Sequence, residues 1–171
     1  MRVGIIGLRA AEIEGQEDNI RKWIAAKLDQ FRGSSLTEPP LDCFCGGGKG
    51  TDQIFGECVL ASGNNLHIIF PYERKVTSAI KGLSTAAMSV SYVVSHYQKG
   101  CYALQNQNMV DNIDALLVVW TGTEQGSIGR TIKMARNAGR IIEYYTIGED
   151  SDVLEEGSSS GVEAEQVGKL Y

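Results

Sequence analysis

Short apolar runs that end in glycine or proline alternate along this chain with segments whose apolar residues recur every three or four positions. Arg2–Gly7 is such a run and predicts a strand. Gln16–Arg32 follows with Ile20, Trp23, Ile24, Leu28 and Phe31 on one helical face. Gly33-Ser34-Ser35 stops that helix, and Pro39-Pro40 prolongs the loop. Leu41–Cys45 predicts a second strand. Thr51–Ser62 predicts a helix with Ile54, Phe55, Cys58 and Val59 inward, and Leu66–Phe70 a third strand closed by Pro71. Leu104–Asn112 reads as a helix. Ala115–Trp120 is apolar at every position, the pattern of a strand covered on both faces. Ser127–Asn137 places Ile128, Ile132 and Ala135 on one side of a helix, Gly139 fits its C-terminal cap, and Arg140–Ile147 is the last strand. Between residues 72 and 100 the pattern is weak. It predicts a short strand at Tyr92–Ser95, a helical turn near Ala79–Leu83, and loop elsewhere.

Strands that alternate with helices predict an α/β fold of three layers around a mostly parallel sheet. The chain has 171 residues, which suits one domain. Residues 1–147 form that domain, and 148–171, with Gly157-Ser158-Ser159-Ser160-Gly161, read as an acidic tail. Sheets of this kind bind ligands beyond the C-terminal ends of their strands. Attention therefore falls on the segments after Gly7, Cys45, Phe70 and Trp120.

Charge changes the picture in one respect. The net charge is −5, and the tail holds seven of the 21 acids against one of the 16 bases. The remaining body is almost neutral. A sequence-independent nucleic-acid binder carries a basic surplus, so nucleic acid is not the expected partner. No apolar run reaches the roughly 20 residues that span a bilayer, and the N-terminus has too short an apolar stretch for a signal peptide. Cys43, Cys45, Cys58 and Cys101 form no CxxC pair. His67 and His96 stand alone in their neighbourhoods, so no metal site is expected. Reduced, buried cysteines fit a cytoplasmic protein. Glycine is the compositional outlier, with 20 residues against 3 prolines. Such an excess points to tight turns and close approach of backbone to a ligand.

Four segments could carry chemistry. Cys45-Gly46-Gly47-Gly48-Lys49-Gly50-Thr51-Asp52 joins a strand to a helix, so its N–H groups could converge on an anion at the helix N-terminus. Thr51 or Asp52 could cap the helix, and Asp52 could serve a ribose hydroxyl. The loop is not a Walker A sequence, because no Gly-Lys-Ser/Thr closes it. The bland alternative is a tight turn with no ligand. Trp120–Thr131 also joins a strand to a helix. Ser127 and the N–H groups of 127–129 could bind phosphate or ribose, with Arg130 adding charge if it turns inward; otherwise this is an ordinary glycine-rich loop. Gln105-Asn106-Gln107-Asn108 is a run of four amides, suited to a base edge or ribose, or else a solvated helix face. Phe70-Pro71-Tyr72-Glu73-Arg74 could supply an aromatic wall and a charge, or edge packing and solvated side chains.

In order along the chain stand Gly46-Gly47-x-x-Gly50-x-Asp52, Phe70-Pro71, Asn106-x-x-Met109-Val110-Asp111, Asp114–Trp120 and Thr131–Ala135. Together these resemble the SLOG superfamily of Rossmann-like nucleotide-binding domains, over about residues 1–147. That superfamily includes YpsA-like and YspA-like proteins, the DprA recombination mediators and the LOG phosphoribohydrolases; the YpsA-like branch is the most similar. The resemblance implies a pocket for a nucleotide or nucleotide derivative, such as a nucleoside monophosphate, ADP-ribose or a signalling nucleotide. Gly47, Gly48, Gly50 and Thr51 would cradle phosphate, with Asp52 beside them. Asn106 would orient base or ribose, and Gly122, Gly126 and Ser127 would form the opposing wall. A sensor or sequestering role without a cofactor is expected, and homo-oligomers are plausible for such a domain. LOG enzymes carry a catalytic Arg and Glu where this chain has Gln105 and Ile54, which leaves catalysis open. The rival expectations are N-glycosidic cleavage or transfer using Glu57 or Glu124, and a protein-interaction module that docks a basic partner through the tail.

Overall fold

A computed structural model describes residues 1–33 and 37–148. Ser34-Ser35 and the acidic tail beyond Gly148 lie outside the described residues. The strands are β1 (Arg2–Gly7), β2 (Asp42–Cys45), β3 (Asn65–Tyr72), β4 (Ser89–Val94), β5 (Ala115–Trp120) and β6 (Ile141–Thr146). The helices are α1 (Glu17–Arg32), α2 (Thr51–Ala61), α3 (Ser78–Ala86), α4 (Cys101–Asn112) and α5 (Gly126–Asn137), with one 3₁₀ turn at Ala10–Glu12. The sheet order is β4-β3-β2-β1-β5-β6, and every pair is parallel. The expectation of a mostly parallel sheet thus becomes an entirely parallel one.

Period-two alternation sorts the strand residues into two cores. Val3 and Ile5 of β1 and Leu117 and Val119 of β5 point to one face, where Ile20, Ile24 and Leu28 of α1, Phe55 and Val59 of α2, and Ile80 and Leu83 of α3 cover them. Ile6 of β1 and Leu116 and Val118 of β5 point to the other, under Met109 and Val110 of α4 and Ile132 and Ala135 of α5. Burying one such side chain contributes about 1.5–3 kcal/mol, so the two faces together fix the register of β1 and β5. Cys43 and Cys45 share the first core, and all four cysteines are buried free thiols. His67, solitary in sequence, lies over Phe44 with ring centroids 4.7 Å apart. Its ring nitrogens meet Asp42 Oδ1 at 3.0 Å and Ser89 Oγ at 2.7 Å, which ties β2, β3 and β4 together.

The weak pattern between 72 and 100 conceals more regular structure than expected. The helical turn is a nine-residue helix, α3, capped by the Thr77 hydroxyl, which accepts from Ile80 N–H. The strand begins three residues earlier, at Ser89, and forms an edge. Its first four residues are exposed, so no buried face imposes an alternating pattern.

The chain moves outward from β1 through β2 and β3 to β4, then returns across the sheet to β5 on the other side of β1. That reversal makes the C-terminal ends of β1 and β5 the topological switch point, where the flanking loops diverge and leave a crevice.

Candidate functional site

A cavity of about 750 Å³ opens at this crevice, over the ends of β1, β2 and β3. Gly46–Lys49 after β2 form one side. Leu8–Ala11 after β1 form another, and Arg74–Thr77 after β3 border it further out. Tyr102, Gln105, Asn106 and Met109 of α4 close the cavity from the far layer, with Ser127 at the start of α5. A smaller cavity of about 360 Å³ continues it past β1 toward Trp120, Thr121, Thr123 and Gln125. The two share Ile6–Arg9 and Ser127.

Glycine shapes the loop after β2 for steric reasons. Gly47 has φ +72°, and a Cβ there would overlap the Phe70 ring. Gly50 has φ +94°, and a Cβ would overlap the backbone of Arg9 and Ala10. The loops after β1 and β2 therefore lie backbone against backbone. Thr51 locks them: its hydroxyl donates to the Leu8 carbonyl at 2.8 Å, and its N–H reaches the same oxygen at 3.3 Å.

Asp52 turns back over the loop, and its Oδ2 accepts the Gly48 N–H at 2.9 Å. Burial pushes its carboxyl up from the ordinary 3.8 to about 6. The N–H groups of Gly48 and Gly46 and the charge of Arg74 oppose that rise. Asp52 is the sole carboxylate lining the main cavity, among the described residues, against the cations Arg9, Lys49, Arg74 and Lys75.

The predicted residues separate into two groups. Gly47, Gly48, Asp52, Asn106 and Ser127 converge on the main cavity. Asn106 Nδ2 donates to Ser127 Oγ at 3.1 Å, which joins α4 to the start of α5. Gly50 and Thr51 do not line it: the first is pressed against Ala10, and the second spends its hydroxyl on Leu8. Gly122 and Gly126 line neither cavity, although residues 120–128 border the smaller one, and Arg130 is an exposed side chain outside both. Gln105 is buried, and its Nε2 donates to the carbonyls of Gly46 at 2.9 Å and Ile69 at 2.7 Å. It fastens the far layer to the ends of β2 and β3. Glu57 pairs with Arg21 at 2.7 Å, and Glu124 with Arg136, both outside the two cavities. Neither carboxylate offered for N-glycosidic chemistry is at the site.

Sequence reasoning did not single out Arg9, Lys75 or Tyr102. The flag on Phe70–Arg74 was the nearest signal: Arg74 lies 5.9 Å from the Tyr72 ring centroid, and Tyr72 makes edge contacts with Tyr97 and Tyr102.

Solved structures share this arrangement of strands and helices. DNA processing protein A from Streptococcus pneumoniae superposes with a TM-score of 0.64 at 16% identity, over 86% of this chain and 52% of that one. The Helicobacter pylori protein of the same name, whose structure concerns single-stranded DNA binding, gives 0.62 at 13% identity over 92% and 73%. The Moco carrier protein of Chlamydomonas rheinhardtii gives 0.51 at 12% identity over 84% and 74%. The shared fold is a Rossmann-like α/β fold of three layers around a parallel sheet. At these identities the likeness is one of fold, and this chain spans about half the length of the streptococcal protein. No protein-family model matches the chain, and no curated protein matches it in sequence. No helix among the described residues is long and apolar enough to cross a membrane.

Proposed function

We propose that this protein binds a nucleotide or nucleotide-derived small molecule in the main cavity, as a sensor or sequestering protein, and that it belongs to the YpsA-like branch. The observation that carries the reading is the lining itself. Four cations and one carboxylate surround a glycine loop beside the switch point of a parallel sheet. Gly47 and Gly48 lie against the phosphate, and Asn106 and Ser127 meet the ribose or base. Gly50, Thr51, Gly122 and Gly126 act from behind by holding the loops in place.

Binding without turnover is the favoured form, because among the described residues Asp52 is the one acid lining the cavity and Gln105 is spent on two backbone carbonyls. Single-stranded nucleic acid, the subject of the Helicobacter pylori structure, fits this chain less well. Its overall charge is −5, and without the tail the body carries a surplus of just one base. A cytoplasmic location and a homo-oligomeric state are part of the proposal.

A thermal-shift screen against nucleoside mono- and diphosphates, followed by mass spectrometry of the recovered ligand, tests it. A ligand at 100 times its Kd stabilises the fold by about 2.7 kcal/mol. Recovery of intact ligand supports a binder. A cleaved ligand makes the protein an enzyme, and the absence of any shift removes the nucleotide reading.

A further inference from the structure

The cavity is built for more negative charge than one phosphate brings. Arg9, Lys49, Arg74 and Lys75 come from three separate loops, and none of them forms an ion pair among the described residues. Against them stands Asp52 alone, leaving an excess of three cations when it is ionised. A phosphate monoester carries about −1.5 to −2 at neutral pH, so it leaves part of this excess unmatched. A pyrophosphate group adds a second phosphoryl and with it the charge to match the remainder.

The aromatic side of the mouth is open to solvent. Tyr102 lines the cavity yet stays 44% exposed, and Tyr97 is 67% exposed. Both rings stand nearly perpendicular to Tyr72, with centroids 6.3 and 5.6 Å away, and both keep much of their surface open to solvent. Tyrosines with no core to fill, beside an anion-binding cavity, present a surface on which a planar base stacks.

Resting on the nucleotide reading above, the geometry points to a nucleoside diphosphate as the ligand, its pyrophosphate between the Gly47–Lys49 loop and Arg74/Lys75 and its base against Tyr102. The monophosphate places the same base and ribose but leaves Arg74 and Lys75 without an anion.

Isothermal titration of the full chain with ADP, GDP, AMP, GMP and inorganic pyrophosphate tests this. At least one diphosphate is expected to bind ten or more times tighter than its monophosphate. Tyr102→Ala should weaken that diphosphate roughly tenfold and leave pyrophosphate unchanged. The double variant Arg74→Ala/Lys75→Ala should weaken the diphosphate by at least roughly tenfold, and the monophosphate by less than about threefold. All three side chains in question are at the surface or the cavity mouth, and circular-dichroism melts confirm that the variants fold. Monophosphates that bind as tightly as diphosphates, or a Tyr102→Ala variant that loses pyrophosphate equally, overturn the inference and leave the nucleotide reading standing. If none of the five binds, both fall.

Discussion

Replacing Asp52 with asparagine should stabilise this protein at neutral pH. The asparagine Oδ1 still accepts the Gly48 N–H, so the loop keeps its anchor while the ionisable group is removed. The wild-type carboxyl is pushed up from 3.8 to about 6. Between those values the folded chain holds the proton more tightly than the unfolded chain does, so stability falls as pH rises through the window. The penalty is complete above about pH 6 and absent well below 3.8. At 1.36 kcal/mol per pH unit, the full displacement corresponds to about 3 kcal/mol. The Asp52 side chain retains some contact with water, and a carboxylate in the first turn of α2 gains about 0.3–1 kcal/mol from the helix dipole. A net gain of about 1–2 kcal/mol for Asp52→Asn at pH 8 is the working figure. Urea unfolding of both proteins from pH 4.5 to 8 measures it. The gap should widen with pH and level off above pH 6. A constant gap, or a variant less stable than wild type at pH 8, would refute this account of the group. The same substitution should tighten binding of inorganic pyrophosphate above pH 6, because a negative charge leaves the cavity.

Gln105→Ala should cost about 2–4 kcal/mol in denaturant unfolding, since the Gly46 and Ile69 carbonyls both lose their side-chain donor in a buried place. Gly50→Ala should cost more than about 2 kcal/mol, from its φ of +94° and the overlap with Ala10; the readout is the shift in urea midpoint. Thr51→Val preserves shape and removes the bond to Leu8, so a loss of about 1 kcal/mol in stability is expected, with pyrophosphate affinity kept. Cys43 and Cys45 should resist a thiol reagent at pH 8 until the chain unfolds, because burial pushes Cys43 up to about 12 and Cys45 higher still.

The parts of the fold legible in the sequence are those where burial acts on both faces. Ala115–Trp120 could be read as a central strand because every position is apolar, and it lies between β1 and β6. Ser89–Val94 could not, because an edge strand with an exposed face needs no particular pattern. The nine residues of α3 include Gly82, Ser84 and Thr85, poor helix formers that mask its short apolar stripe. At the site, glycine loops and amides announce themselves locally, which is why Gly47, Gly48, Asn106 and Ser127 could be found. Arg9 and Lys75 look like any surface cations. They acquire a role only through the sheet order, which brings the loops after β1 and β3 to the same opening as the loop after β2.

Gly7 and Thr51 occupy one space between them: a Cβ on Gly7 would lie 2.6 Å from the Thr51 side chain. Position 7 cannot gain a side chain while Thr51 keeps its own, so the order of change is set. A lineage can first lose the side chain at 51 and tolerate a small void, then gain one at 7. The reverse order passes through an overlapped, destabilised intermediate. History at this pair is therefore directional, and two descendants that differ at both positions must have crossed the same intermediate, with glycine at each.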